Sequence, residues 1–93
     1  MSLKGQTTFR KEEIEKYIGK SEDGEAYQNF REEVIARMTR YRKPFRFTDR
    51  SINYELGSAW DKVVKGCEGI QFDYTINTVK GETRICKVIF KAL

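Results

Sequence analysis

The feature that most constrains the fold is a change in hydrophobic period near residue 66. Between residues 25 and 65 apolar side chains recur every three or four positions, which is the spacing of one helical face. From Ile70 onward they recur at every second position, which is the pattern of a half-buried strand. A chain with both periods in this order is predicted to be an α+β protein with three helices, a short strand and a C-terminal β-hairpin.

Two helices are predicted in the first half of the chain. Phe9 and Ile14 are spaced as a hydrophobic staple around a helix over residues 10–18. A second helix is predicted over residues 25–42, where one face is apolar. Pro44 ends this helix because proline forces the preceding residue out of the helical region.

A short strand and a third helix are predicted next. Phe45 and Phe47 alternate with polar residues, which predicts a strand over residues 45–47. The apolar face of residues 49–65 predicts a helix that contains Gly57. Because a mid-helix glycine costs about 1 kcal/mol relative to alanine, Gly57 is either a tolerated weak spot or a turn between two short helices.

The two C-terminal strands are predicted to pair through a three-residue loop at residues 79–81. Glycine then occupies the left-handed position that such loops require. This register places Asp73 opposite Lys87 on one face and Tyr74 opposite Cys86 on the apolar face.

Length and composition predict one folded domain over residues 1–93. The chain is 39% hydrophobic and 13% aromatic, which is richer in aromatic residues than a disordered chain. Residues 1–6 lack the apolar core of a signal peptide, and we expect them to be disordered or partly derived from an expression tag. No apolar run approaches the roughly 20 residues that a membrane helix needs, so we expect a cytoplasmic protein without membrane contact.

The residue types give little support for catalysis. Histidine is absent, which removes the commonest general base and the commonest zinc ligand. Cys67 and Cys86 are too few for a disulfide framework and too far apart for a Cys-x-x-Cys pair, so free thiols are expected. The carboxylates form no recognisable metal motif. We therefore expect no enzyme activity, no catalytic or metal site and no cofactor.

The net charge of +4 originates in one short segment. Residues 37–50 contain six of the 18 basic residues and one of the 14 acidic residues. Five of the six are arginines, which favour bidentate contacts with phosphate or carboxylate. Three interpretations remain open: nucleic-acid contact, an acidic protein partner, or a solvated helix end whose cations offset the helix dipole and pair with Glu32, Glu33 and Glu55.

The order of helix, short strand, glycine-containing helix and hairpin resembles the winged helix-turn-helix superfamily over about residues 25–90. This resemblance implies a helix-turn-helix pair at residues 49–56 and 58–65, with Gly57 as the turn, and a wing at residues 77–82. It also implies that the second helix of the pair enters the major groove of DNA while the wing contacts the backbone or the minor groove.

The sequence and this resemblance together predict a small regulatory protein that binds nucleic acid, with DNA favoured over RNA. Ten basic residues in the Arg-rich segment, the second helix and the wing are the predicted contacts: Arg37, Arg40, Arg42, Lys43, Arg46, Arg50, Lys62, Lys65, Lys80 and Arg84. Binding would consist mainly of phosphate neutralisation, with strong salt dependence and little sequence preference.

Two alternatives do not involve nucleic acid. One is a protein-interaction module in which the same arginines bind an acidic partner. The other is a small regulatory subunit that forms a homodimer through a helix face or a hairpin edge. The predicted hairpin register favours the homodimer because it leaves Ile85 and Ile89 on the polar face.

Overall fold

The computed structural model describes residues 2–18, 23–39, 45–46 and 50–93, and it has the predicted α+β architecture. Within these ranges the elements are β1 (Ser2–Arg10), α1 (Lys11–Glu15), α2 (Asp23–Met38), β2 (Phe45–Arg46), α3 (Arg50–Val64), β3 (Gly69–Val79) and β4 (Glu82–Ala92). The sheet order is β1-β3-β4-β2, antiparallel except for β2, which runs parallel to β4. The helices cover one face of this sheet, here called the inner face.

The core lies between the helices and the inner face of the sheet. Phe30 of α2 is the centre of an aromatic cluster. Its ring centroid lies 5.7 Å from that of Phe9, 5.6 Å from that of Tyr17 and 5.5 Å from that of Trp60. The tilted and edge-to-face geometry of these pairs is favourable because it brings a positive ring edge toward a negative ring face. The other buried members are Phe72 and a mostly aliphatic set: Ile14, Val34, Met38, Ile52, Leu56, Ala59, Val63, Ile70, Ile76, Ile85 and Val88.

The apolar faces predicted for the helices are confirmed, and their ends differ. α1 is five residues long, shorter than predicted, and is followed by a turn at residues 16–18. α2 ends at Met38, where the Thr39 hydroxyl donates to the Ile35 carbonyl oxygen at 2.7 Å. Residues 40–42, the last part of the predicted second helix, and Phe47 of the predicted strand lie outside the described residues. No helix of the described ranges has the length and apolar character needed to cross a membrane.

β1 is the largest difference from the sequence prediction, which left residues 1–6 without structure. From its second residue the chain forms a nine-residue strand antiparallel to β3, with Phe9 opposite Ile70. Gly5 lies opposite Tyr74, and a Cβ at Gly5 would be 2.5 Å from the Tyr74 Cζ. A side chain at this position would therefore displace the Tyr74 ring.

The hairpin is present, but its loop is one residue shorter than predicted. Lys80 and Gly81 form a two-residue turn with positive φ at both positions, 51° and 78°. This is the conformation of a type I′ turn, whose twist matches that of the flanking strands. Val79 consequently pairs with Glu82, and the predicted three-residue loop was wrong because the lysine adopts the left-handed conformation too.

A β-bulge in β4 changes the side to which its residues point. Ile76 pairs with Ile85 while Thr75 pairs with Lys87, so Cys86 is the extra residue. Ile85 is only 4% exposed and belongs to the core, which contradicts its predicted place on the polar face. Cys86 is exposed, and both cysteines are free thiols, as predicted.

The bulge also shifts the pairing of the rest of the hairpin. Asp73 lies opposite Ile89 instead of Lys87, and Tyr74 lies opposite Val88, so the predicted cross-strand pairs were wrong. The physical reason is that the bulge keeps the apolar residues on both sides of it on the inner face, which no uninterrupted register does.

α3 is one continuous helix from Arg50 to Val64, so the predicted helix-turn-helix pair is wrong. Gly57 lies on its exposed side, and Ile52 and Leu56 before it are buried in the same phase as Val63 after it. Packing of this stripe against the sheet outweighs the cost of about 1 kcal/mol for the glycine.

The edge of β4 that faces away from β3 is contacted by two elements. β2 pairs with it at Thr83 and Arg84. Farther along, the Phe90 N–H donates a hydrogen bond to Glu55 Oε2 of α3 at 3.1 Å. The Glu55 carboxylate thus accepts a hydrogen bond from a backbone N–H that would otherwise be unpaired at the edge of the sheet.

Candidate functional site

Among the predicted contacts in residues 37–50, Arg37 is the one whose side chain the structure describes. Three of the others lie outside the described residues: Arg40, Arg42 and Lys43. Two more are described only as members of β2 and α3: Arg46 and Arg50.

Arg37 is bound within the protein. Its Nε donates to Glu33 Oε1 at 3.0 Å, and its Nη1 donates to the Thr8 carbonyl oxygen at 3.0 Å. Its Nη2 forms an ion pair with Glu13, and its guanidinium carbon lies 3.9 Å from the centroid of the Phe9 ring. Arg37 thus ties α1, α2 and β1 together.

The electrostatics of this cluster fit a structural role. The hydrogen bond from Arg37 lowers the pKa of Glu13 below its ordinary value, although partial burial opposes this effect. Burial and the charge of Glu33 raise the pKa of Tyr17. For Arg37, the pairing with Glu33 agrees with the interpretation in which cations at the helix end bind carboxylates of the same chain.

The predicted contacts on α3 lie in the helical layer. Lys62 of α3 and Lys65, in the turn directly after α3, are both exposed. Lys65 Nζ lies 2.9 Å from Asp61 Oδ2, and this hydrogen bond lowers the pKa of Asp61. One of the two lysines is therefore already paired with a carboxylate one helical turn away.

A different concentration of positive charge lies on the outer face of the sheet, opposite the helices. The strand register arranges this face in five transverse rows: Ser2 with Asn77 and Arg84, Lys4 with Thr75 and Lys87, Gln6 with Asp73 and Ile89, Thr8 with Gln71 and Lys91, and Arg10 with Gly69. The rows contain five basic residues and one acidic residue, all of them exposed. We call the five basic residues the cationic sheet face: Lys4, Arg10, Arg84, Lys87 and Lys91.

The centre of this face is concave. Lys4 and Lys87 come from opposite ends of the chain and occupy one row, with Thr75 between them. They border an open depression of about 620 Å³ whose lining also includes Ile89. The depression offers two ammonium groups and a hydroxyl to a ligand, and its lining also contains the Asp73 carboxylate.

Three lysines of the cationic sheet face, Lys4, Lys87 and Lys91, form no ion pair with the carboxylates that the structure describes. Asp73 accepts hydrogen bonds from Gln6 Nε2 at 2.9 Å and from Gln71 Nε2 at 3.2 Å. The nearest carboxylate in the register is therefore held by amide groups.

The structure connects this face to part of the predicted site. Arg84 belongs to the cationic sheet face, and Arg46 of β2 is its register partner. Lys80 is exposed in the hairpin turn, which lies at the end of the face beyond Arg84. Lys62 and Lys65 are on the other layer, so the predicted contacts do not form one patch.

Sequence reasoning missed most of the cationic sheet face. Lys87 and Lys91 alternate with apolar residues, so their side of β4 was readable from the sequence. Lys4 and Arg10 join them only through β1, which the sequence interpretation did not include. The sequence signal for β1 is the alternation of Leu3, Gly5, Thr7 and Phe9, which is weak because glycine and threonine are not strongly apolar.

In the described part of the chain, no group of three or more cysteine, aspartate or glutamate side chains is arranged to hold a metal ion. Comparisons with protein-family models, with curated proteins and with solved structures find no match to this chain. Function must therefore be inferred from the surface itself.

Proposed function

We propose that this protein binds nucleic acid, with DNA as the first candidate, by contacting its phosphates. The observation that supports this proposal is the cationic sheet face, with five exposed basic residues and one acidic residue in adjacent rows. Clustered cations attract a phosphate backbone because their binding releases condensed counterions.

The mechanism is phosphate neutralisation by a sheet surface. If all five cations contact phosphates of duplex DNA, the logarithm of the binding constant falls with the logarithm of salt concentration with a slope of about −4.5. Backbone contacts position a protein on nucleic acid but do not read sequence, so little sequence preference is expected.

The winged-helix resemblance enters this proposal as an arrangement of elements. α3 leads directly into the β3–β4 hairpin, and β2 pairs with the second strand of that hairpin. The family pattern would place the second helix of a helix-turn-helix pair in the major groove and Lys80 of the wing on the backbone, but α3 is one continuous helix. The charge distribution favours the cationic sheet face over α3 as the main contact, with Lys80 extending it.

Matched charge removals test the choice between these surfaces. The binding of a labelled duplex of mixed sequence is followed by fluorescence anisotropy at low and moderate salt. Replacing two lysines of the sheet face, Lys87→Gln with Lys91→Gln, should lower the salt slope by about 2 and weaken binding. The control, Lys62→Gln with Lys65→Gln, removes the same charge from α3 and should leave the slope unchanged.

Two results would contradict the proposal. One is the absence of detectable binding to any nucleic acid at low salt. The other is tighter binding to polyglutamate than to DNA, which would identify an acidic protein as the partner. Equal losses in the two double variants would refute the sheet face as the main contact.

A further inference from the structure

The cations of the sheet face form two lines, and the strand between them carries no basic residue on this face. Lys4 and Arg10 lie on β1, and the other line, Arg84, Lys87 and Lys91, lies on β4. β3 separates the two lines and contributes no basic residue to the five rows. Since neighbouring strands are about 4.8 Å apart, the backbones that carry the two lines are about 10 Å apart.

The only charge that β3 places between these lines is negative. Asp73 is exposed in the middle row, and its Oδ1 accepts the hydrogen bonds from Gln6 and Gln71. An ionised carboxylate is an acceptor without a proton to donate, so it repels a phosphate placed over β3. The ligand that suits this face has phosphates on both sides and none in the middle.

The outer face also lacks a platform for unpaired bases. No position in its five rows is aromatic. Phe72 is fully buried in the core, and Tyr74 and Phe90 pack partly buried against it. Proteins that bind single strands rely on stacking of bases on exposed aromatic rings, worth about 1–3 kcal/mol per base. The five rows of described residues do not supply this contribution.

We infer that the cationic sheet face binds a double helix, with one phosphate backbone along β1 and the other along β4. This inference rests on the proposed function. The separation of about 10 Å lies between the widths of the two grooves of B-form DNA, about 6 Å and about 12 Å, and flexible lysine side chains cover the difference. Asp73 then faces the groove, where there is no phosphate.

The length of the two lines determines how many base pairs the protein covers. From Lys4 to Arg10 the strand rises about 20 Å, which equals about six base pairs at 3.4 Å per pair. Each line neutralises one strand of the duplex, so neither line alone accounts for binding.

The experiment compares duplex DNA, duplex RNA and the separated strands of each as competitors at equal phosphate concentration. The protein should bind duplex about tenfold more tightly than single strands, because stacking contributes nothing on this face. Lys4→Gln and Lys87→Gln, one from each line, should each reduce the salt slope for duplex by about 1, with Lys62→Gln as the unaffected control. Asp73→Asn should raise single-strand affinity about threefold, the size of an exposed charge interaction, and change duplex affinity less.

The outcomes separate the two claims. Single strands that bind as tightly as duplex, or duplex binding that is insensitive to Lys4→Gln, would overturn the double-helix inference while the proposed function stands. Binding to no nucleic acid would overturn the proposed function itself. A preference for duplex DNA or for duplex RNA would support the inference and identify the source of the two backbones.

Discussion

The two faces of the sheet are built from the same three long strands and have opposite chemistry. On the inner face Phe9, Ile70 and Phe72 are fully buried. On the outer face Lys4 and Lys87 are exposed. Successive side chains of a strand point to opposite faces, so the alternation that builds the core also builds the cationic sheet face. A register error would therefore damage stability and surface charge together.

Arg37 and two lysines of the outer face also differ in their partners. Arg37, on the helical side, is bound by Glu13 and Glu33. Lys4 and Lys87, on the outer face, form no ion pair with a described carboxylate. A charge that is neutralised by its own chain contributes to the fold, and the two lysines are the charges on which the proposed function depends.

Neighbouring residues of β3 should show the contrast between the faces most strongly. Phe72→Ala should lower the free energy of unfolding by about 3–5 kcal/mol, because a fully buried ring leaves a cavity. Asp73→Ala, one residue away on the exposed face, should change it by less than about 0.5 kcal/mol. Urea denaturation measures both values, and similar losses would mean that the outer face is not a solvent-exposed surface.

Single-residue deletions in β4 test the role of the bulge. Deleting Ile89 moves Phe90 to the outer face and should cost about 2–3 kcal/mol through lost burial. Deleting Cys86 removes the extra residue and leaves Ile85 and Val88 on the inner face, so the cost should be smaller. The two midpoints of urea denaturation are compared, and an equal loss for both deletions would contradict the assigned register.

The Arg37 cluster should contribute less to the free energy of unfolding than the core does, and more than an exposed ion pair does. Arg37→Met leaves two partly buried carboxylates without their donor and should cost about 2 kcal/mol. Lys65→Met removes the exposed pair with Asp61 and should cost less, because solvent screens that pair. Circular dichroism during thermal unfolding measures the loss of stability in each variant. A larger loss for Lys65→Met than for Arg37→Met would refute the structural role of Arg37.

The effect of Arg37→Met should depend on pH. Arg37 holds the pKa of Glu13 below its ordinary value of 4.5, so this pair contributes stability above pH 4.5. The contribution is lost as the pH falls through the lowered pKa of the folded state. The difference in stability between the wild type and Arg37→Met should therefore narrow below pH 4.5, and a constant difference across this range would contradict the assignment.

The sequence predicted the elements whose pattern is local. Helices α2 and α3 have apolar residues on one face, and the strands of the hairpin alternate, so their existence follows from spacing alone. β1 could not be recognised in this way, because Gly5 and Thr7 are weakly apolar and their partners lie some 65 or more residues away in β3.

The candidate site depends on information that is not local. Lys4 and Lys87 come together only because β1 and β4 both pair with β3. The bulge at Cys86 shifts the register by one residue, and the sequence around it contains no glycine to mark it. Arg37 appeared to belong to a basic segment because its partner Glu13 comes from a different helix.

The hydrogen bond from the Phe90 N–H to Glu55 affects the tendency of the protein to aggregate. An exposed strand edge is a template on which another chain can add a strand, and proteins resist such aggregation by placing charges at the edge. Here the charge is that of Glu55 on α3, so it protects the edge from strand addition only while α3 remains folded against the sheet. Loosening of α3 would withdraw this protection and expose the core beneath it at the same time, which makes the partly unfolded chain the form most prone to aggregate.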